Sequence, residues 1–150
     1  MKIRCIAKTG ANLPDRYFLP HLCYKKEMEF QLTLGREYTA YAIEELQGMV
    51  WYYICDDDYT YYPMKHPAPL FEVVDNRVSQ YWRFKLNANG LLEIGFEEWI
   101  SDRYFYDKLT DMEEPEVSIF EKAKELIDAE AAAPATESAA GEKELAIAEV

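Results

Sequence analysis

At 150 residues the chain has the length of one globular domain with short extensions. Apolar residues make up 49% and aromatics 15%, with 12 tyrosines, which excludes a chain disordered throughout. Acidic side chains number 28 against 16 basic ones, a net charge of −12, which weighs against a ligand as acidic as nucleic acid. The charge is unevenly placed: residues 1–96 are nearly neutral at −1, residues 97–130 carry −8, and residues 131–150 carry −3.

In chain order, Lys2 to Lys8 alternates polar and apolar residues and predicts a half-buried strand. Turn signals at Thr9-Gly10, Leu13-Pro14-Asp15 and Leu19-Pro20 make residues 9–30 a long loop. Residues 32–46 and 49–57 flank Gln47-Gly48, a candidate two-residue hairpin turn. That turn pairs 46 with 49, 44 with 51 and 43 with 52. One face then holds Tyr41, Ile43, Tyr52 and Ile54; the other holds Ala40, Ala42, Trp51, Tyr53 and Cys55. The second face is covered by a C-terminal element or binds a partner.

Tyr59–Tyr62 reads as a third strand stopped at Pro63, and the prolines of residues 63–69 bar a central ladder position. Leu70–Val74, Gln80–Leu86 and Leu91–Ile94 follow as strands, with Trp82, Phe84 and Leu86 sharing a face. After Phe96 the period becomes helical: a short helix through Trp99 and Ile100, a break at Ser101-Asp102, and a continuation through residues 103–109. A firmer helix starts near Glu114-Pro115 and turns Val117, Phe120, Ala123, Leu126 and Ile127 inward. From about residue 131 the composition collapses to Ala, Glu, Thr, Ser and Gly, a low-complexity tail expected to be disordered or weakly helical. The expected organisation is a small barrel domain over 1–96, an acidic helical extension over 97–130 packed on it, and the tail 131–150.

The longest apolar run, Met49–Cys55, is too short to cross a bilayer, and Lys8, Asn12 and Asp15 interrupt any signal-peptide core. Cys5, Cys23 and Cys55 cannot all pair and suit a reducing compartment. These features predict a cytoplasmic protein with no membrane partner. Nucleotide-binding loops, a zinc-protease helix and a serine-hydrolase elbow have no counterpart in the sequence. His21 and Cys23 offer two metal ligands without a matching pair. Asp56-Asp57-Asp58 lacks the spacing of a calcium loop and reads as a capped acidic turn. Glu97 and Glu98, being adjacent, cannot face each other on a helix as an acid/base pair. No enzyme, cofactor or metal is expected.

The segments LTLGREYTAYAI, WYYICDD and PAPLFEVVDN, within residues 30–76, resemble a pattern shared by small bacterial and phage proteins, with Arg36 where that pattern has Lys. The resemblance implies an SH3-like β-barrel of five to six short strands, here with one or two added helices. It also implies kinship with candidate toxin-immunity proteins. It carries over no functional residue.

The resulting expectation is a non-catalytic binding protein whose acidic C-terminal third docks a basic protein such as a nuclease toxin. The alternative is a peptide-binding or scaffold module that uses an aromatic strip. The candidate partner-binding residues are Trp51, Tyr53, Asp57, Glu113, Glu114, Glu116 and Glu121.

Overall fold

The computed structural model describes residues 1–134. Eight strands come first: β1 (Lys2–Cys5), β2 (Glu37–Thr39), β3 (Ala42–Leu46), β4 (Met49–Ile54), β5 (Met64–Pro67), β6 (Phe71–Asp75), β7 (Trp82–Leu86) and β8 (Leu92–Phe96). Three helices follow: α1 (Glu97–Ser101), α2 (Phe105–Thr110) and α3 (Glu116–Ala132). The strands form two antiparallel sheets, ordered β2-β1-β6 and β5-β4-β3-β8-β7. The protein is mainly β with C-terminal helices, as its periodicities predict, but with eight strands and three helices rather than five or six and one or two. Both sheets are open; among the described residues no ladder joins them into a closed barrel. The low-complexity tail expected over 131–150 lies outside the described residues from 135 onward.

The hairpin turn forms as its sequence suggests. Gln47 and Gly48 both take positive φ, 51° and 81°, the geometry whose twist matches the flanking strands. Leu46 therefore faces Met49, Glu44 faces Trp51 and Ile43 faces Tyr52. The next expectation fails. Asp56 Oδ1 accepts the N–H groups of Asp58 and Tyr59, both at 2.9 Å, and bends the chain, so Tyr59–Tyr62 is no strand. The strand forms instead at Met64–Pro67, among the prolines. This is possible because β5 is the outermost strand, where a missing N–H interrupts no second ladder.

The loop over residues 9–30 holds three single turns of 3₁₀ helix and sends Leu13, Tyr17 and Phe30 into the core. Gly10 is sterically fixed there: a Cβ on it would lie 1.9 Å from the Lys25 carbonyl oxygen.

Two apolar clusters result. One, lined by Ile3, Tyr17, Trp51, Ile54 and Leu70, is closed by this loop. The other joins Tyr41, Tyr53, Trp82 and Phe96 to Trp99, Phe105, Leu109, Phe120 and Ile127 of the helices. Helix α1 approaches closely because Gly95 presents no Cβ, which would stand 3.0 Å from the Trp99 ring. One inward assignment is corrected: Leu126 is exposed on α3. Of the shared face of β7 only Trp82 is buried, leaving Phe84 and Leu86 in solvent.

Phe120 is an α3 residue buried against the sheets, its ring edge-on to Tyr41 at 5.7 Å. Phe120→Ala should cost about 3–5 kcal/mol in a denaturant titration. A change within about 0.5 kcal/mol, as at a surface position, would show that α3 is not part of the core.

Candidate functional site

The residues singled out by sequence separate into buried and exposed sets. Trp51 is 2% exposed; its Nε1–H donates to the Tyr24 hydroxyl at 3.1 Å and Tyr17 meets it edge-on at 5.7 Å. Tyr53 is buried against Trp99 and Tyr106, and its hydroxyl donates to Glu44 Oε1 at 2.8 Å. Burial, with Glu44 adding to it, pushes the Tyr53 phenol well above its ordinary value. The aromatic strip is therefore core, and neither ring presents itself as an anchor for a peptide. The reason is coverage from two directions: the 9–30 loop closes over Trp51 and the helices close over Tyr53.

Asp57 is occupied structurally. It accepts hydrogen bonds from Thr33 Oγ1, Arg36 Nη1 and the Tyr38 hydroxyl at 2.7–2.8 Å, tying the end of β4 to β2 and the turn before it. Glu116 is corrected as well, since it is 8% exposed. It lies one turn before Phe120, and the register that buries Phe120 turns Glu116 inward too. Glu113, Glu114 and Glu121 are exposed. Glu114 has a second task, because its Oε2 accepts the Ser118 N–H at 3.2 Å in the first turn of α3.

The helical segment as a whole presents carboxylates. Glu97, Glu98, Asp107, Asp111, Glu113, Glu114, Glu121 and Glu125 are all exposed. Lys108 and Lys124 are half-buried and paired, to Asp102 at 3.1 Å and Asp128 at 2.6 Å. Among the described residues from 97 onward, the exposed cations are Arg103 and Lys122.

The segment also walls a groove of about 590 Å³ between the β7–β8 turn and helices α1 and α2. Tyr53, Trp99 and Tyr106 line it, with the carboxylates of Glu44, Glu93, Asp102 and Asp107 against the cations of Lys85 and Arg103. Asn87 Nδ2 donates to Glu93 Oε2 at 2.9 Å, so the turn is fastened to the groove wall. Sequence reasoning missed this groove. Its signal was Glu44, a carboxylate on the otherwise apolar face of Ala42, Trp51 and Tyr53.

The groups with catalytic potential are dispersed or buried. His66 Nε2 lies 2.8 Å from Asp56 Oδ2, both side chains are buried, and the imidazole is edge-on to Phe30 and Phe71. Burial alone would raise the Asp56 carboxyl. The hydrogen bonds from His66 and the N–H groups of Tyr59 and Asp58 outweigh it and hold the carboxyl below its usual range. Burial pushes the Cys55 thiol up to about 12, the reverse of what a thiolate nucleophile requires. His21 and Cys23 are exposed on the loop while Cys5 is buried in β1. Among the described residues no group of three or more His, Cys, Asp or Glu side chains is placed to hold a metal ion. No helix among them is long and apolar enough to cross a membrane.

Two measurements check these assignments. Trp51→Ala should destabilise the fold by about 3–5 kcal/mol, as loss of a packed ring does; an unchanged unfolding midpoint would return Trp51 to the surface. A depressed folded-state value makes the Asp56 contribution present above its unfolded value, near 3.8, and lost as pH falls through the lower folded value. Stability should therefore fall with acid below about pH 4, less steeply in Asp56→Asn. Equal acid sensitivity in the two proteins would contradict this role.

Comparison of the chain with protein-family models, with curated proteins and with solved structures finds no match.

Proposed function

We propose that the protein is a non-catalytic cytoplasmic binding protein, an immunity-type inhibitor that docks a basic partner such as a nuclease toxin through its acidic helical layer. The observation that carries this reading is the exposure pattern of residues 97–130: eight exposed carboxylates against two exposed cations. A surface of this sign attracts a basic protein over about a Debye length and repels nucleic acid. It would also compete with nucleic acid for a nuclease groove. Glu113, Glu114 and Glu121 remain in the docking surface, while Trp51, Tyr53 and Glu116 leave it because they are buried. Asp57 contributes through the position of its loop. In this reading the groove beside Glu44 and Glu93 receives a cationic side chain of the partner. The two-sheet frame, in which the chain passes from β2 directly into β3 of the other sheet, is taken as an opened SH3-like barrel. The peptide-module alternative loses both its anchors to the core.

The test is co-expression with the product of the adjacent reading frame, followed by purification and association kinetics. A stable complex with a basic protein is expected, with an on-rate falling about tenfold or more between low and physiological salt. The triple change Glu113→Lys, Glu114→Lys, Glu121→Lys should slow association comparably. A salt-independent on-rate, or unchanged binding by the triple variant, would contradict the reading.

A further inference from the structure

Strand β7 pairs only with β8 among the described residues, so its other edge is free. Which backbone groups that edge offers follows from the ladder. The Asn87 N–H donates to the Leu91 carbonyl at 2.9 Å, and an antiparallel ladder alternates bonded with unbonded pairs. Lys85 opposite Glu93 and Arg83 opposite Gly95 are therefore bonded pairs. Phe84 and Leu86, opposite Ile94 and Leu92, turn their N–H and carbonyl groups away from β8. Those groups make the edge a template for one more strand.

The side chains on this edge divide cleanly. Phe84 and Leu86 are 73% and 66% exposed and share one face. Along the sheet they continue into Ile94, Leu92 and Ile43, all half-buried, an apolar strip that crosses β7, β8 and β3. Arg83 and Lys85 are exposed on the opposite face. Arg83 Nε lies 3.9 Å from Glu97 Oε2, a long pair with both side chains mostly in solvent, which holds the guanidinium only weakly. Lys85 stands across from Glu93, whose Oε2 is already taken by Asn87 Nδ2.

We infer that the free edge of β7 takes an extended segment of a second protein, one that alternates large apolar residues with carboxylates. Its apolar side chains extend the strip beside Phe84 and Leu86, and its carboxylates stand next to Arg83 and Lys85. Charge selects this occupant over the others. A basic strand sets cations directly beside Arg83 and Lys85. A second copy of the chain meets the same obstacle, because antiparallel self-pairing of β7 about Phe84 sets Arg83 of one molecule opposite Lys85 of the other. Edge cations that oppose self-association leave an acidic strand as the complement. This edge is distinct from the acidic docking layer of the helices and has the opposite charge preference.

The experiment is an NMR titration of the full-length chain with three synthetic peptides. One alternates Val and Glu, the second alternates Val and Lys, and the third is the Val-Glu peptide N-methylated at each Val. In antiparallel pairing the Val residues opposite Phe84 and Leu86 are those whose N–H groups face β7. The Val-Glu peptide should shift the amides of residues 82–86 and bind at least about tenfold more tightly than the Val-Lys peptide. Arg83→Glu/Lys85→Glu should invert that order, and Phe84→Asp should abolish binding with the unfolding midpoint unchanged. Equal binding of the acidic and basic peptides, no binding of the acidic one, or undiminished binding after N-methylation would each overturn the inference. So would a dimer of the free chain that the acidic peptide fails to dissociate, which would assign the edge to a second copy.

Discussion

Tyr41 is the residue on which the arrangement of sheets and helices depends. It stands where the chain leaves β2 in one sheet and enters β3 in the other, between Ala40 and Ala42, both fully buried. Its N–H donates to the Tyr53 carbonyl at 2.9 Å, and its own carbonyl accepts the Trp82 Nε1–H at 3.1 Å. Its hydroxyl donates to Asp128 on α3 at 2.5 Å, while Phe120 meets the ring edge-on and the Lys124 ammonium lies 5.6 Å from the ring centre. One residue thereby joins β4 and β7, through its backbone, to α3, through its side chain. Burial, reinforced by Asp128, pushes its phenol far above its ordinary value, so the hydroxyl stays a donor at physiological pH. The neighbouring alanines matter as much, because a larger side chain at 40 or 42 would hold the helices off the bend.

This junction explains how an acidic surface is supported. The helices bury Trp99, Phe105, Leu109, Phe120 and Ile127 on the sheet, which commits their remaining positions to solvent. Those positions are mostly carboxylates. Their mutual repulsion costs stability, and the buried aromatic contacts offset it. A negative layer is maintained on a sheet domain that is itself nearly neutral.

Much of this architecture was legible because it rests on local chemistry. The Gln47-Gly48 turn, the cross-strand pairing it sets and the spacing of Phe120 and Ile127 each depend on a few neighbouring residues. The misses share a different cause. Tyr59–Tyr62 had strand composition, but the Asp56 side chain claims two backbone N–H groups there. Met64–Pro67 became a strand because of its place at a sheet edge, which no local pattern reveals. Phe84 and Leu86 alternate as a buried face should, yet nothing in the described chain covers them. The candidate surface divided for the same reason. Trp51 and Tyr53 have the composition of an interface, and only the path of the 9–30 loop and of the helices decides that they are core. Glu116 looked like its neighbours 113, 114 and 121 until the register of Phe120 fixed its direction.

The central claim is that the sheets and the acidic helices form one cooperative unit joined through Tyr41. Native-state hydrogen exchange across a denaturant series tests it most directly, comparing amides of α3 with those of β4. The account predicts that both sets exchange through the same global opening, with one free energy and one denaturant dependence. If α3 amides exchange through a separate opening of lower free energy while β4 remains protected, the helices are an appendage and the claim fails.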